Sequence, residues 1–175
     1  MLKNAYFETD NDKINSLIED ELKAGNANNF FLGGGYNYGT AFIHGSTFNG
    51  KSYVSVTDNG RIIGFMSADY RYYKKKIQSC VFIKFKERCL VGDSEIFRKD
   101  INEFFESLLA DERFNLVEFE VCEGNRASEK NGLYREWASK YNGKIIRLED
   151  YCCDINGNVK DMDLFLFYRK DREGR

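Results

Sequence analysis

The chain has 175 residues, of which 42% are hydrophobic and 15% aromatic, and this composition predicts a single folded domain over residues 1–175. Its 26 Lys and Arg residues and 28 Asp and Glu residues give a formal net charge of −2, which disfavours a general binder of nucleic acid or anionic membranes. No apolar run approaches the roughly 20 residues of a membrane span, and the N-terminus lacks the apolar core of a secretory signal, so we expect a cytoplasmic protein.

Histidine and cysteine usage excludes several kinds of site. The single histidine, His44, excludes a metal centre or catalytic triad that needs several imidazoles, and we expect no metal site. The five cysteines are odd in number and contain no C-x-x-C pair, which argues against a disulfide framework or a zinc ribbon. We therefore interpret the cysteines as reduced, small hydrophobic residues.

The N-terminal third is predicted to hold a short strand, residues 2–7, and one helix. Asp10 or Asp12 can cap this helix, apolar residues recur at helical spacing from residue 14 to 22, and Gly25 can end it. Residues 26–50 mix aromatic residues with glycines without a clean period, which indicates a loop with one short helix. The GGGYNYGT motif in this segment lacks the lysine of a P-loop, so we interpret it as an aromatic-anchored loop, with a mobile substrate lid as the alternative.

Three strands are predicted next, over residues 52–57, 61–73 and 77–85, and they form an antiparallel meander. Asn59-Gly60 is a two-residue hairpin signal between the first two strands. The run YRYYKKK, residues 70–76, interleaves basic and aromatic residues as a nucleic-acid patch does, but it falls where two strands turn. We interpret it as a solvated hairpin tip.

The second half of the chain alternates between helical and strand periods. Apolar residues from Phe97 to Leu108 follow helical spacing, with Ser94 as the predicted N-cap. A strand (116–121), a second helix (126–141) and two strands (144–153 and 159–169) follow, and the very apolar last strand is predicted to be central or packed on both faces. The order predicts an α/β class with a mixed α+β sheet, in which a helix connects two parallel strands. Ligands favour the crevice beyond the carboxyl ends of such strands, here lined by residues 88–94 and 122–125.

This order of elements resembles the GNAT superfamily of acyl-CoA-dependent N-acyltransferases over residues 52–169. The stretch VTDNGRIIGFMSAD is similar to the family's hairpin between its second and third strands. The stretch VEFEVCEGNRASEKNGLY is similar to its fifth strand, followed by an Asn that contacts the cofactor arm and a helix that bears a Tyr. The stretch NGKIIRLEDYCCDINGNVKDMDLFLFYRK is similar to its closing pair of strands.

The resemblance implies a GNAT-like fold, with an antiparallel meander, a β-α-β crossover and a C-terminal strand pair, and an activity. The activity is that of an acetyl-CoA-dependent N-acetyltransferase, in which a small-molecule or peptide amine attacks the thioester directly. Tyr134 resembles the acid that protonates the departing thiolate, with a half-buried aromatic residue as the alternative. A base is also needed, and Glu87 at the end of the third meander strand and Glu118 or Glu120 on the polar face of the next strand are the candidates.

The resemblance also places the cofactor. Asn125 resembles the residue that contacts the cofactor arm, with capping of the second helix as the alternative, and the backbone amides of Cys89, Leu90 and Val91 would receive the pantetheine arm. The family binds the CoA pyrophosphate on a Gln/Arg-x-x-Gly-x-Gly/Ala loop, whereas this chain has VGDSEIFRKDINEFF there, with Gly92 alone and with acidic Asp93 and Glu95. The remaining candidates for holding the phosphates are Ser94, through its hydroxyl, and Arg98 and Lys99, through their charge.

Two further functions remain open from the residues. The altered phosphate loop favours a GNAT-fold binding module without turnover, and the basic turn Lys74–Lys76 favours a nucleic-acid-associated factor. The amine acceptor is not identified by any motif. The aromatic-rich last strand suggests pairing in a homodimer.

Overall fold

The computed structural model describes residues 1–24, 50–153 and 157–173. Four features of the sequence lie outside the described residues: the predicted helix stop at Gly25, the aromatic and glycine-rich segment over residues 26–49, its GGGYNYGT motif, and His44.

The helices and strands follow the predicted order closely. In chain order the elements are β1 (Leu2–Asn4), α1 (Ala5–Glu8), α2 (Asn11–Lys23), β2 (Gly50–Val56), β3 (Ile62–Arg71), β4 (Lys76–Lys84), α3 (Asp93–Ala110), β5 (Leu116–Cys122), α4 (Leu133–Lys140), β6 (Lys144–Cys153), β7 (Val159–Tyr168) and α5 (Arg169–Glu173).

The seven strands form one mixed sheet in the order β1-β2-β3-β4-β5-β7-β6. β4 and β5 are parallel and are connected by α3, while every other neighbouring pair is antiparallel. This arrangement confirms the predicted mixed α/β class, the antiparallel meander, the β-α-β crossover and the C-terminal strand pair. The very apolar last strand is central, as predicted, because β7 lies between β5 and β6.

Helices cover both faces of the sheet. On the front face, which we define as the face covered by α3 and α4, aromatic residues such as Phe104, Phe119 and Trp137 form the larger core. On the back face, α2 buries Ile14 and Ile18 together with α1 and strand residues from β2 to β4. The burial of residues from Phe97 to Leu108 at helical spacing confirms the predicted stripe on α3.

A close contact fixes α3 against the meander. A Cβ atom added to Gly64 in β3 would lie 2.3 Å from the ring of Phe97, a separation that real Cβ atoms do not show. Only glycine therefore permits α3 to approach β3 at this point. The contact lies in the first turns of α3. It therefore fixes where the N-terminus of α3 lies relative to the ends of the strands.

A bulge separates the two parallel strands. Ser67 pairs with Val81 while Asp69 pairs with Gln78, so β4 contains one residue more than β3 over this interval. Ser79 sits in this bulge with a left-handed φ of 52°. Because a bulge bends its strand, β4 turns away from β5, and their ladder contains only the pairs of Lys76 with Leu116 and Ile77 with Val117.

Several predicted boundaries were wrong. Residues 5–7 are helical rather than extended, because Asn4 caps α1 by accepting a hydrogen bond from the Tyr6 amide at 2.9 Å. The second meander strand ends at Arg71, and residues 72–74 form a 3-10 turn at the hairpin tip.

Two predicted helix starts were also wrong. Ser94 is not an N-cap, because Gly92 with a φ of 89° precedes a helix that already begins at Asp93. The second helix begins at Leu133 rather than at Arg126, because residues 126–128 form a separate 3-10 turn and Asn131 adopts a left-handed φ of 72°.

The sheet edges bear on self-association. Both edges of β7 are paired, so this strand is not open to edge-to-edge pairing with a second sheet, and the homodimer stays a prediction. Within the described part of the chain, no helix is long and apolar enough to cross a membrane. The same residues contain no cluster of three His, Cys, Asp or Glu side chains placed to hold a metal ion.

Candidate functional site

The gap between β4 and β5 widens beyond Ile77 and Val117 into a cleft of about 450 Å³. The cleft opens toward both faces of the sheet, since Phe82 packs with the front-face core and Ile83 with the back-face core. The lining residues are Glu21, Phe82, Ile83, Lys84, Lys86, Ser94, Glu95, Phe97, Arg98, Ile101, Asn125, Ala127, Leu133 and Tyr134.

The cleft brings together part of the predicted site. Of the predicted residues, Ser94, Arg98, Asn125 and Tyr134 line it. The other predicted residues lie outside its lining: Glu87, Cys89, Leu90, Val91, Gly92, Lys99, Glu118 and Glu120. The cleft therefore unites the start of α3, the turn after β5 and the start of α4, as expected for a crevice at the ends of parallel strands.

Tyr134 is the buried phenol of the cleft. It is the second residue of α4 and is 6% exposed. Its ring lies 5.8 Å from the ring of Phe82 across the gap and 5.0 Å from that of Phe119. Burial, and secondarily the nearby Cys80, raises the pKa of Tyr134 far above its usual value, so the phenol keeps its proton at any physiological pH.

Asn125 closes the turn that follows β5. Its Oδ1 accepts a hydrogen bond from the Ala127 amide at 3.0 Å, and its carbonyl accepts from the amide and hydroxyl of Ser128. The side-chain oxygen therefore caps the 3-10 turn over residues 126–128 rather than the second helix, whose N-cap is Gly132. The Nδ2 group makes no hydrogen bond within the described residues and can donate to a bound molecule.

The cationic side chains of the cleft differ from those predicted. Arg98 lines the cleft, but its Nη2 lies 2.6 Å from Oε2 of Glu136. Lys99 is exposed and lies outside the lining. Lys84 and Lys86, which the sequence analysis missed, line the cleft at the end of β4, and Lys84 donates to the Ser94 hydroxyl at 3.4 Å. The alternation of KFK after a strand could have indicated them.

The loop between β4 and α3 hydrogen-bonds to itself. The amide of Cys89 donates to the carbonyl of Lys86 at 3.1 Å, and the amide of Leu90 donates to Oδ2 of Asp93 at 2.7 Å. The side chains of Leu90 and Val91 are exposed. Two of the three amides that the resemblance assigns to the cofactor arm are thus already bonded.

The predicted bases lie around the cleft rather than in it. Glu87 is exposed, and its amide donates to Oε1 of Glu21 at 2.8 Å. Glu21, a carboxylate of α2 that is 1% exposed, lines the cleft and was missed, because no local pattern marks one helical glutamate among several.

Glu118 and Glu120 lie on the back face of β5, because Phe119 between them contacts Tyr134 on the front face. Glu118 is held by Lys76 at 2.5 Å. Glu120 is exposed at the surface, yet partial burial of its carboxylate and, second, repulsion from Glu118 raise its pKa, while Lys76 partly offsets the effect.

The cleft fits the pantetheine arm of acetyl-CoA better than its pyrophosphate. No described strand pairs with β4 beyond Ile77 on its β5 side, so this edge can accept an extended amide chain such as the pantetheine arm. The start of α3 fits a pyrophosphate poorly, because Asp93 and Glu95 bring negative charge to the helix end at which phosphates bind.

No family model and no curated protein matches this sequence. Solved structures do match. The ribosomal-protein-alanine N-acetyltransferase from Brucella melitensis is 14% identical, with a TM-score of 0.66 over 96% of this chain and 99% of that one. The spermidine/spermine N-acetyltransferase from Vibrio cholerae, solved with manganese ions, is 14% identical, with a TM-score of 0.54 over 76% of this chain and 73% of that one.

A third structure, described as a probable acetyltransferase, is 16% identical with a TM-score of 0.52, and this chain spans 64% of its length. At these identities the likeness establishes the fold. The chain has the GNAT fold, which confirms the fold that the resemblance in the sequence implies.

Proposed function

We propose that the protein is an N-acetyltransferase that transfers an acetyl group from acetyl-CoA to an amine. The observation that carries the proposal is the cleft between the diverging strands β4 and β5, which places the buried phenol of Tyr134 at the gap. The GNAT fold of the chain and the N-acetyltransferase names of its structural neighbours agree with this function.

The reaction divides between the two faces of the sheet. When bound, acetyl-CoA supplies an activated acetyl thioester. On the front face, the hydroxyl of Tyr134 is protonated and lines the cleft, where it can donate to a departing thiolate. The cleft also opens toward α2 on the back face, and an amine that enters there approaches from the face that carries Glu120.

Glu120 is the residue proposed to receive the proton of the amine. Its pKa is raised, which brings the carboxylate closer to the basicity that proton transfer near neutral pH requires. Glu118 is less suited to this role, because its carboxylate is engaged with Lys76 at 2.5 Å. The backbone edge of β4 and the Nδ2 group of Asn125 are the donors available to hold the arm and the carbonyl oxygen.

One observation favours a second candidate function, a GNAT-fold binding module without turnover. The amide of Leu90 at the start of α3 is bonded to Asp93 rather than open to a phosphate. A protein with this loop can keep the cleft as a binding site and still catalyse no acetyl transfer.

An acetyl-transfer assay tests the proposed function. Purified protein is mixed with millimolar acetyl-CoA and a panel of amines that includes spermidine and a peptide with an N-terminal alanine, amines suggested by the names of the structural neighbours. We expect release of free thiol with one amine class and a product heavier by one acetyl group. Donor binding without any acetylated product would instead support the binding module.

A further inference from the structure

A carboxylate of the chain itself occupies the start of α3. Asp93 is the first residue of this helix, and its side chain is 8% exposed. Its Oδ2 accepts a hydrogen bond from the Leu90 amide at 2.7 Å and lies 2.9 Å from Nη1 of Arg61, which projects from the turn between β2 and β3. An amide and a guanidinium that converge on one oxygen form the donor set that binds a phosphate oxygen in other proteins.

The rest of this loop offers few further donors. Arg61 also donates to the carbonyl of Arg88, which ties the guanidinium to the loop. The amides of Cys89 and Glu95 donate to loop carbonyls at 3.1 and 3.2 Å. A phosphate at this helix end would therefore have to displace Asp93 from a site that the carboxylate already satisfies.

The charges of the cleft lining do not restore an anion site. Its three cations, Lys84, Lys86 and Arg98, face two carboxylates, Glu21 and Glu95. With Arg98 committed to Glu136, the lining provides little net attraction for a pyrophosphate.

We infer that Asp93 replaces the pyrophosphate of the donor, so that this protein recognises an acyl-pantetheine thioester by its pantetheine arm and gains little affinity from the nucleotide half of CoA. The inference rests on the proposed function, because it concerns the donor of the same cleft. It names the donor class as acyl-pantetheine thioesters, of which acetyl-CoA is one.

Isothermal titration of the purified protein with acetyl-CoA and with S-acetyl-pantetheine tests this inference. We expect the two dissociation constants of the wild type to agree within about threefold, since the nucleotide adds little. The affinity for acetyl-CoA should also change little between low and high salt, because few charges pair on binding. This comparison needs no variant.

The variant Asp93→Asn sharpens the test. Asparagine keeps an oxygen that can accept from the Leu90 amide, but it removes the charge and leaves Arg61 able to bind a phosphate. We expect this variant to bind acetyl-CoA about tenfold more tightly than the wild type and S-acetyl-pantetheine within about twofold of it. The matched control is Asp111→Asn at the opposite end of α3, where Asp111 is similarly buried and pairs with Arg113 at 2.6 Å, and it should change neither affinity.

The outcomes separate the inference from the proposed function. A wild type that binds acetyl-CoA about a hundredfold more tightly than S-acetyl-pantetheine would overturn the inference and leave the proposed function intact. A loss of acetyl-CoA affinity in Asp93→Asn would also overturn it. Absence of binding by both thioesters would contradict the proposed function, and the inference with it.

Discussion

The ring of Phe82 in β4 lies 5.8 Å from the ring of Tyr134 in α4, and the two rings are inclined by 48° at the point where β4 and β5 have separated. The contact connects the central strand edge to the one buried phenol of the cleft lining. Aromatic pairs at such distances add to the burial that holds both rings in place. These ring contacts hold Tyr134 in place, and its hydroxyl is the group available for catalysis.

Replacement of Tyr134 by Phe should therefore reduce turnover without unfolding the protein. We expect kcat to fall by roughly 10²-fold, within the range of general acid catalysis, because the ring contacts remain and only the hydroxyl is lost. Donor affinity should stay nearly unchanged. Steady-state kinetics and a titration of acetyl-CoA measure the two effects separately.

The control for this variant is Tyr141→Phe. Tyr141 follows α4 directly, and its hydroxyl donates to Glu106 at the surface at 2.5 Å. Its loss should leave kcat unchanged. Equal kinetics for wild type and Tyr134→Phe would contradict the role of the acid, whereas loss of folding in Tyr134→Phe would identify the residue as a core aromatic only.

The pH profile of kcat/KM should show the ionisation of the Glu120 carboxylate. Because partial burial and Glu118 raise the pKa of Glu120 above its ordinary value of about 4.3, the rate should rise with pH through that raised pKa as the carboxylate forms. The variant Glu120→Gln should lose this limb and about 10²-fold in kcat/KM.

The neighbouring variant Glu118→Gln provides the matched control. It removes the negative charge that disfavours ionisation of Glu120, so the limb should shift to lower pH while the reaction persists. A profile that stays the same in Glu120→Gln would rule this residue out as the base. Such a result would direct attention to Glu21, the buried carboxylate of the cleft.

The contact between Gly64 and α3 predicts a stability effect. In Gly64→Ala the new methyl group would lie 2.3 Å from the Phe97 ring, and relief requires the ring or the helix to move. We expect a loss of about 1–3 kcal/mol in the free energy of unfolding, measured by urea denaturation. In the double variant Gly64→Ala/Phe97→Leu, the loss should be smaller than the sum of the two single losses, because the smaller side chain removes the clash. If the two single losses in unfolding free energy simply add, the methyl group at position 64 and the Phe97 ring do not clash.

The order of elements could be predicted from the sequence because each element carries its own local signal. The turn at Asn59-Gly60, the stripe on α3 and the alternation of β5 were enough to predict the meander and the crossover. Tyr134 could be identified as a candidate from the motif in which it lies. Its burial could not be predicted from the sequence, because the contacting rings of Phe82 and Phe119 belong to two separate strands.

The features that open and line the cleft had no such signal. The bulge at Ser79 depends on a left-handed φ of 52° in a residue that rarely adopts one. The bond between the Glu21 carboxylate and the Glu87 amide joins α2 to the end of β4, far apart in the chain. The negative charge of Asp93 is evident from the sequence, but the Leu90 amide and Arg61, which hold its carboxylate in place, come from other parts of the fold.

The central claim is that an acetyl thioester donor binds between the ends of β4 and β5. Backbone amide chemical shifts recorded by NMR during titration with acetyl-CoA test this claim most directly. We predict saturable shifts concentrated at residues 82–84 on β4, at Asn125 and Ala127 after β5 and at Tyr134 on α4, which line the cleft. Shifts confined to the hairpin tip at residues 72–76, or no saturable shifts at millimolar acetyl-CoA, would contradict it.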